Sequence, residues 1–315
     1  MSGEERAPVV YLIDASIYIF QAHFSPYVEC FDTEGEDLSA VYGFSQFLLQ
    51  FLGRTSATHV AVAHDESLFC GFRHDLCPDY KSNRELPDDN LAMQLRACQE
   101  ICAELGLASY SSKQFEADDI IGTMSNRCRS GLIDQQNPVI EIVSRDKDLA
   151  QLLIGQEDRL WDYQGNRCRN RKDIYSELGI HPEQLPDYLG LIGDAVDCIS
   201  GVPGVGPVKA RELLQRFESI EGIYENLDEV KNLPLRGARG LQQKLADHRE
   251  EAELSKLLAT IVCDVDDPKE KFGSCGLDHV ERASPSSVDL ADFLARYRFD
   301  DRARHRITTL AQRLT

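Results

Sequence analysis

The chain has 315 residues, enough for one large domain and a smaller one, and its 42% hydrophobic and 28% charged content is that of a globular protein. The formal net charge of −19 counts against a nucleic-acid binder with a broadly basic surface, so any contact with a polyanion must rest on local positive charge. The polar start Met1-Ser2-Gly3-Glu4-Glu5-Arg6 is no signal peptide, no run nears the roughly 20 apolar residues of a membrane span, and the ten cysteines contain no C-x-x-C pair, which argues against zinc or a secreted disulfide framework and for reduced thiols in the cytoplasm.

Val9 to Ile13 is a continuous apolar run, the pattern of a strand buried on both faces. It ends at Asp14. Sites collect at the carboxyl ends of parallel strands, so Asp14 is a candidate ligand. An Asp there equally caps a following helix. Ser39 to Leu52 has helical periodicity, and its aromatics are expected in the core. Thr58 to His64 is a second strand that again ends in an acid, Asp65. His64 reads as a packed residue rather than a ligand.

Phe72-Arg73 and Asp79-Tyr80-Lys81-Ser82-Asn83-Arg84 lie in an aperiodic stretch with Pro78 and Pro87. An exposed aromatic beside cations holds single-stranded nucleic acid, which makes Arg73, Tyr80, Lys81 and Arg84 candidates. A surface loop with paired charges fits the same residues equally well. Asp88 to Leu105 reads as an amphipathic helix ended by Gly106.

Phe115-Glu116-Ala117-Asp118-Asp119-Ile120-Ile121-Gly122 puts three acids within four positions, directly before apolar residues. Helix-dipole compensation, roughly 0.3–1 kcal/mol per acid, accounts for one or two of them. Three against apolar flanks point to negative charge gathered for hard divalent cations. Pro138 to Val143 is a third strand and runs into Ser144-Arg145-Asp146-Lys147-Asp148, with a helix from near Asp148 through Leu153. Leu160 to Tyr163 is a short strand, and Asn166 to Lys172 a compact basic loop. A helix over Pro182 to Ile192 delivers Asp194 and Asp197, which share one face if helical.

The strongest single motif is Gly201-Val202-Pro203-Gly204-Val205-Gly206, followed by a helix carrying Lys209 and Arg211. Turn amides freed by glycine, a helix N-terminus and a lysine form a site for one backbone phosphate. This is the helix–hairpin–helix pattern; the P-loop spacing is absent. Arg236, Arg239 and Lys244 add a candidate second basic cluster. Glu250 to Val262 reads as helix, Asp264 to Ser287 as irregular surface, and the arginine-rich end from Phe293 to Leu314 as a solvated helix.

Seven motifs recur in one order over roughly residues 8 to 300: Leu12-Ile13-Asp14-Ala15-Ser16, His64-Asp65, Tyr80 to Arg84, Glu116 to Asp119, Arg145-Asp146-Lys147-Asp148, Gly193-Asp194 with Asp197, and Gly201 to Gly206. On these the chain resembles the bacterial and phage 5′→3′ exonucleases and flap endonucleases, including the 5′-nuclease domain of bacterial DNA polymerase I. The resemblance implies an α/β fold. A PIN-like parallel sheet flanked by helices would occupy 1–180, with an arch or clamp at about 67–112 around Tyr80 to Arg84. A helical DNA-binding region of helix–hairpin–helix (helix–three-turn–helix) type would follow over 181–315, with its glycine hairpin at 201–206. Two Mg²⁺ ions, replaceable by Mn²⁺, are implied. Asp14, Asp65, Glu116 and Asp118 would lie nearest the first, Asp146, Asp148, Asp194 and Asp197 would form the second cluster, and Asp119 would sit close to both. Gly201, Val202, Gly204, Val205, Gly206 and Lys209 would grip duplex backbone, with K⁺ on the hairpin carbonyls.

The expected activity is two-metal hydrolysis of DNA at 5′ ends and 5′ flaps, and of RNA primers. Lys81 and Arg84 would offset charge on the scissile phosphate. The enzyme is expected as a free-standing cytoplasmic monomer with no membrane partner, because the remaining length leaves no room for a polymerase domain. His64, Arg145, Cys198 and Ser200 depart from the family pattern, and none removes a carboxylate. A DNA-structure-binding protein without catalysis would not need nine acids, and a PIN-type ribonuclease is usually smaller and lacks the hairpin.

Overall fold

In the computed structural model, residues 7–130, 137–284 and 287–314 are described. The first six residues and part of the acidic stretch near 285, both read above from sequence, lie outside them. The first half contains β1 (Val9–Asp14), α1 (Ala15–His23), α2 (Ser39–Thr55), β2 (His59–Asp65), α3 (Phe72–Leu76), α4 (Asp89–Glu104), β3 (Ala108–Ser112), α5 (Ala117–Arg129), β4 (Val139–Val143), β5 (Arg159–Asp162) and β6 (Arg167–Arg169). The strands form one sheet in the order β3-β2-β1-β4-β5-β6, parallel except for β6.

Successive strand residues point to opposite faces, which is why β1 must be apolar throughout. Val10 and Leu12 join the core under α5, while Ile13 joins the core under α1, α2 and α4. Residues 171 onward add α6 (Arg171–Leu178), α7 (Leu185–Ile192), α8 (Pro207–Phe217), α9 (Ile220–Glu225), α10 (Ala238–Asp247), α11 (Arg249–Ala259), α12 (Ser287–Arg296) and α13 (Asp301–Ala311). Helices α7 to α11 extend the core on the α5 side. The strand order reverses at β1, so the crevice beyond the ends of β1, β2 and β4 is where such sheets place their sites.

The aperiodic Ala-Ser-Tyr-Ser-Ser of β3 forms the sheet's edge strand without the usual apolar run, because pairing with β2 supplies its order. Several expectations need correction. The supposed basic loop at 166–172 contains antiparallel β6 and the start of α6. The 182–192 helix is divided into a 3₁₀ turn and α7. The stretch from Asp264 is not merely surface, for Val265, Phe272, Cys275 and Val280 are buried against the α5 side. The 67–112 stretch does not form an arch as a whole. It holds α3, then α4 packed against α2, then β3.

The arginine-rich end is likewise no solvated helix. Leu290, Phe293, Leu294, Phe299, Ala303, Ile307 and Leu310 are buried with α2 and α4, leaving Arg302, Arg306 and Arg313 outside. The last two helices thus pack with the first half of the chain. Phe299→Ala should lower stability by about 3–5 kcal/mol, the range for emptying a buried phenylalanine site, as read from denaturant midpoints.

Among the described residues, no helix is long and apolar enough to cross a membrane.

Candidate active site

Strands β1 and β2 end in Asp14 and Asp65, and the turn after β4 carries Asp146 and Asp148. Asp14 caps α1, one of the two readings made from sequence: its Oδ1 accepts the Ser16 amide at 3.1 Å, while its Oδ2 accepts the Ser144 hydroxyl at 2.8 Å. Ser144 Oγ in turn accepts the Asp146 amide at 3.0 Å, and Asp146 Oδ1 accepts the Asp148 amide at 2.9 Å. Asp65 accepts the Ala117 amide at 3.3 Å, which ties the end of β2 to the start of α5. Lys147 joins Asp194 to this group, Nζ to Oδ2 at 3.1 Å.

The crowding has electrostatic consequences. Burial first, with Asp146 and Asp65 beside it and against the Ser144 hydrogen bond, pushes Asp14 up to about 7. Burial and then the charge of Asp146 likewise push Asp148 up to about 7. Asp118 is driven well above the carboxylate range by burial, then by Asp146 and Asp14. Asp194 goes the other way: the Val196 amide and the Lys147 ammonium outweigh its burial. Neighbour to neighbour, these electrostatic couplings link eight predicted acids, Asp14, Asp65, Glu116, Asp118, Asp146, Asp148, Asp194 and Asp197, into one chain.

The donor set is all oxygen, which suits Mg²⁺, Mn²⁺ or Ca²⁺ rather than a soft metal. Asp148 Oδ1 is buried without a hydrogen-bond partner among the described residues, as an atom reserved for a cation would be. Among the described residues no three acids converge as a closed ligand set.

The Tyr80 to Arg84 segment closes the site from above. Lys81 Nζ lies 2.7 Å from Glu116 Oε1 and 3.7 Å from Asp197 Oδ2, and Arg84 meets Asp197 at 3.0 Å. Lys81 has φ +52° and Cys198 φ +57°, left-handed conformations that bulky residues seldom adopt. Such strain is kept where surrounding contacts over-determine it; here the Lys81 amide donates to Asp197 O at 3.1 Å. The resembled pattern expects asparagine at 198, and asparagine tolerates this region better than cysteine does, which gives the Cys198 departure a physical cost. His64 is 3% exposed and lies against Phe44 and Cys102; burial lowers it to about 3, so it stays neutral and packed.

Three assignments change. Tyr80 is 2% exposed and donates its hydroxyl to Glu116 Oε2 at 3.0 Å, so its ring is no stacking platform. Arg73 is 3% exposed and grips Asp119 in a bidentate pair at 2.6 and 2.8 Å, so it does not face a nucleic acid. Asp119 is fully buried and occupied by that guanidinium, so it is not among the acids that face the crevice.

The glycine hairpin is fastened to the acids. Asp194 and Ile199 exchange backbone bonds at 2.9 and 2.8 Å, closing the loop that carries Asp197. A Cβ on Gly201 would lie 2.2 Å from the Gly193 nitrogen, so only glycine permits this crossing. The hairpin turns through Gly204 at φ +78°, and the Gly201 amide donates to Ser255 Oγ on α11 at 3.1 Å. Lys209 Nζ caps Gly204 O at 2.8 Å, and Lys244 Nζ would sit 2.5 Å from a Cβ on Gly204. Arg236 and Arg239 are exposed, the first just before and the second within the first turn of α10, the helix that carries Lys244.

Two features escaped the sequence reading. Ser144 looked like an ordinary strand end. Phe20, Phe24 and Tyr27 are 37%, 75% and 94% exposed and line an open groove of about 810 Å³ with Arg145, Asp146 and Lys147. Their spacing of four and three residues along α1 and past its end was the available signal.

Residues 9–179 match the family described as 5′-3′ exonuclease, N-terminal resolvase-like domain, and residues 180–280 match 5′-3′ exonuclease, C-terminal SAM fold. A 5′-3′ exonuclease of Buchnera aphidicola subsp. Acyrthosiphon pisum is 32% identical over 265 residues, covering 84% of this chain and 90% of the relative. DNA polymerase I of Bacillus subtilis is 33% identical over 264 residues, which is 82% of this chain but 28% of that protein. In fold the chain is similar to a T5 5′-exonuclease solved with zinc ions, with a TM-score of 0.62 at 18% identity over 98% of this chain and 100% of the other. It is also similar to the catalytic core of Rad2 solved with a DNA substrate, with a TM-score of 0.60 at 16% identity over 98% and 92%. With both family domains matched in order, the chain belongs to the 5′-3′ exonuclease family and is a nuclease.

Proposed function

We propose that the protein is a divalent-metal-dependent 5′→3′ exonuclease and 5′-flap endonuclease acting on DNA, and on RNA primers paired to DNA, as a monomer. The observation that carries this reading is the fastening of an eight-acid crevice to a lysine-flanked glycine hairpin through Gly193 and Gly201. Residues 1–180 would carry most of the chemistry, completed by Asp194 and Asp197, and 181–315 most of the duplex grip.

Asp14, Asp65, Glu116 and Asp118 would serve one ion, and Asp146, Asp148, Asp194 and Asp197 the other. Two Mg²⁺ ions supply a water activated at neutral pH and positive charge for the leaving oxygen. The chain's own residues do the placing. Hairpin amides and Lys209 would hold one backbone phosphate, fixing the distance from duplex to crevice. When Lys209 turns to a phosphate, Gly204 O becomes free for a K⁺ ion. Phe20, Phe24 and Tyr27 offer stacking faces to an unpaired terminal base beside Asp146. Lys81 and the 45%-exposed side chain of Arg84 would shift from Glu116 and Asp197 to the scissile phosphate, where their charge opposes the charge that develops.

The test uses the full chain, a 5′-labelled flap duplex, and Mg²⁺ against EDTA. Release of a 5′-phosphorylated product only with divalent ions supports the reading; no cleavage with either Mg²⁺ or Mn²⁺ rejects it. Lys209→Ala should also weaken flap binding and reduce the salt dependence of affinity by about one phosphate contact, seen in anisotropy titrations at several salt concentrations.

A further inference from the structure

We infer that Asp119 is not a metal ligand but forms, with Arg73, a positioning pair that holds the acid-bearing start of α5 in register with the hairpin. This rests on the two-ion reading above.

Asp119 is fully buried and its acceptor capacity is filled. Oδ1 accepts from Arg73 Nη2 at 2.8 Å and the Val262 amide at 2.9 Å; Oδ2 accepts from Arg73 Nη1 at 2.6 Å and the Glu116 amide at 3.0 Å. An ionised carboxylate has about four lone-pair sites, so none is left for a cation. The guanidinium would also repel an ion brought to the same oxygens. Asp118, one residue earlier, differs in each respect: it is half-buried and faces Asp14 and Asp146.

The remaining donors of Arg73 give the pair its reach. Nε donates to Leu258 O at 2.9 Å and Nη2 to Thr260 O at 2.8 Å. Leu258 belongs to α11, whose Ser255 hydroxyl accepts the hairpin amide of Gly201 at 3.1 Å. A hydrogen-bonded path thus runs from the hairpin through Ser255, α11, Arg73 and Asp119 to the Glu116 amide. Glu116 carries Lys81. A planar, two-pronged guanidinium fixes both separation and angle, which a lysine could not do.

The experiment compares Asp119→Asn, Arg73→Gln and their combination with the parent, with Asp118→Asn as the ligand control. Three readouts are taken on the full chain: Mn²⁺ affinity without DNA by calorimetry, flap affinity in Ca²⁺ by anisotropy, and single-turnover cleavage. Asp119→Asn is expected to keep Mn²⁺ and flap affinity within about threefold of the parent, while Asp118→Asn loses at least about tenfold in Mn²⁺ affinity. Cleavage should slow by at least about thirtyfold in both Asp119→Asn and Arg73→Gln, and the combination should be no slower than the slower single change, because the two act as one unit. Loss of Mn²⁺ affinity in Asp119→Asn to match Asp118→Asn would overturn the inference. So would unchanged cleavage, or losses that multiply in the combination. If Arg73→Gln does not fold, the Mn²⁺ comparison between positions 118 and 119 still decides. A parent that fails to cleave would reject the nuclease reading instead.

Discussion

Exchanging Asp118 and Asp146 together for asparagine is expected to slow flap cleavage by at least about ten-thousandfold, roughly 5.5 kcal/mol of transition-state stabilisation. One side chain is assigned to each ion, and after burial the charge of Asp146 is the next cause that drives Asp118 above the carboxylate range. The amide keeps the shape and one acceptor oxygen but removes the charge that draws the cations in. The same change should leave the metal-free protein as stable as the parent or more so, since two mutually repelling carboxylates are gone. Flap affinity in Ca²⁺ should remain measurable, because the hairpin lies outside the exchange. Single-turnover rates, thermal midpoints and anisotropy on one preparation separate these effects. Cleavage within tenfold of the parent would mean that other acids carry the reaction.

Without divalent ions the parent protein should be less stable at pH 8 than at pH 5. Asp14 and Asp148 are each pushed up to about 7 in the folded chain, above their unfolded values near 4. A carboxyl with a raised folded value favours the fold fully below its unfolded value and loses that contribution as pH climbs through the folded one. The loss therefore falls between about pH 4 and pH 7 and is of the order of a few kcal/mol. Glu116 and Asp194, held low by Lys81 with Arg73 and by the Val196 amide with Lys147, act in the opposite sense, and their contribution fades only at acid pH below this window. Saturating Mg²⁺ should reverse the trend, because deprotonated acids bind it best. Thermal midpoints from pH 5 to 8 in EDTA and in Mg²⁺ test this. A midpoint that rises steadily with pH in EDTA would show that the acids do not crowd one another as described.

The parts legible in sequence were those in which local pattern and final role coincide. Val9 to Ile13 had to be buried on both faces, and Asp14 and Asp65 stood where such strands end. Glycines at 201 and 204 announced a turn that only glycine makes. What could not be read was partnership between distant residues. Asp119 looks like its neighbour Asp118 until Arg73, 46 positions earlier, is seen to occupy it. Tyr80 and Arg73 resemble a nucleic-acid contact because aromatic and cationic residues serve buried carboxylates as well as phosphates. The end of the chain looked solvated because arginines are spread all along it, yet Phe293, Phe299 and Ile307 fall on one buried side. Strand β3 lacked any intrinsic signal and owes its form to β2.

The closing of α12 and α13 over α2 and α4 has a consequence for synthesis. Helices α2 and α4 are made early, but the apolar faces they turn toward Phe293, Phe299 and Ile307 stay bare until α12 and α13 have left the ribosome. Folding of that layer must then wait for contacts spanning most of the chain, which is slow and leaves sticky surface open in the meantime. A nascent chain stalled before residue 287 would be a natural client for holding chaperones, whereas the hairpin and its helices would already be complete.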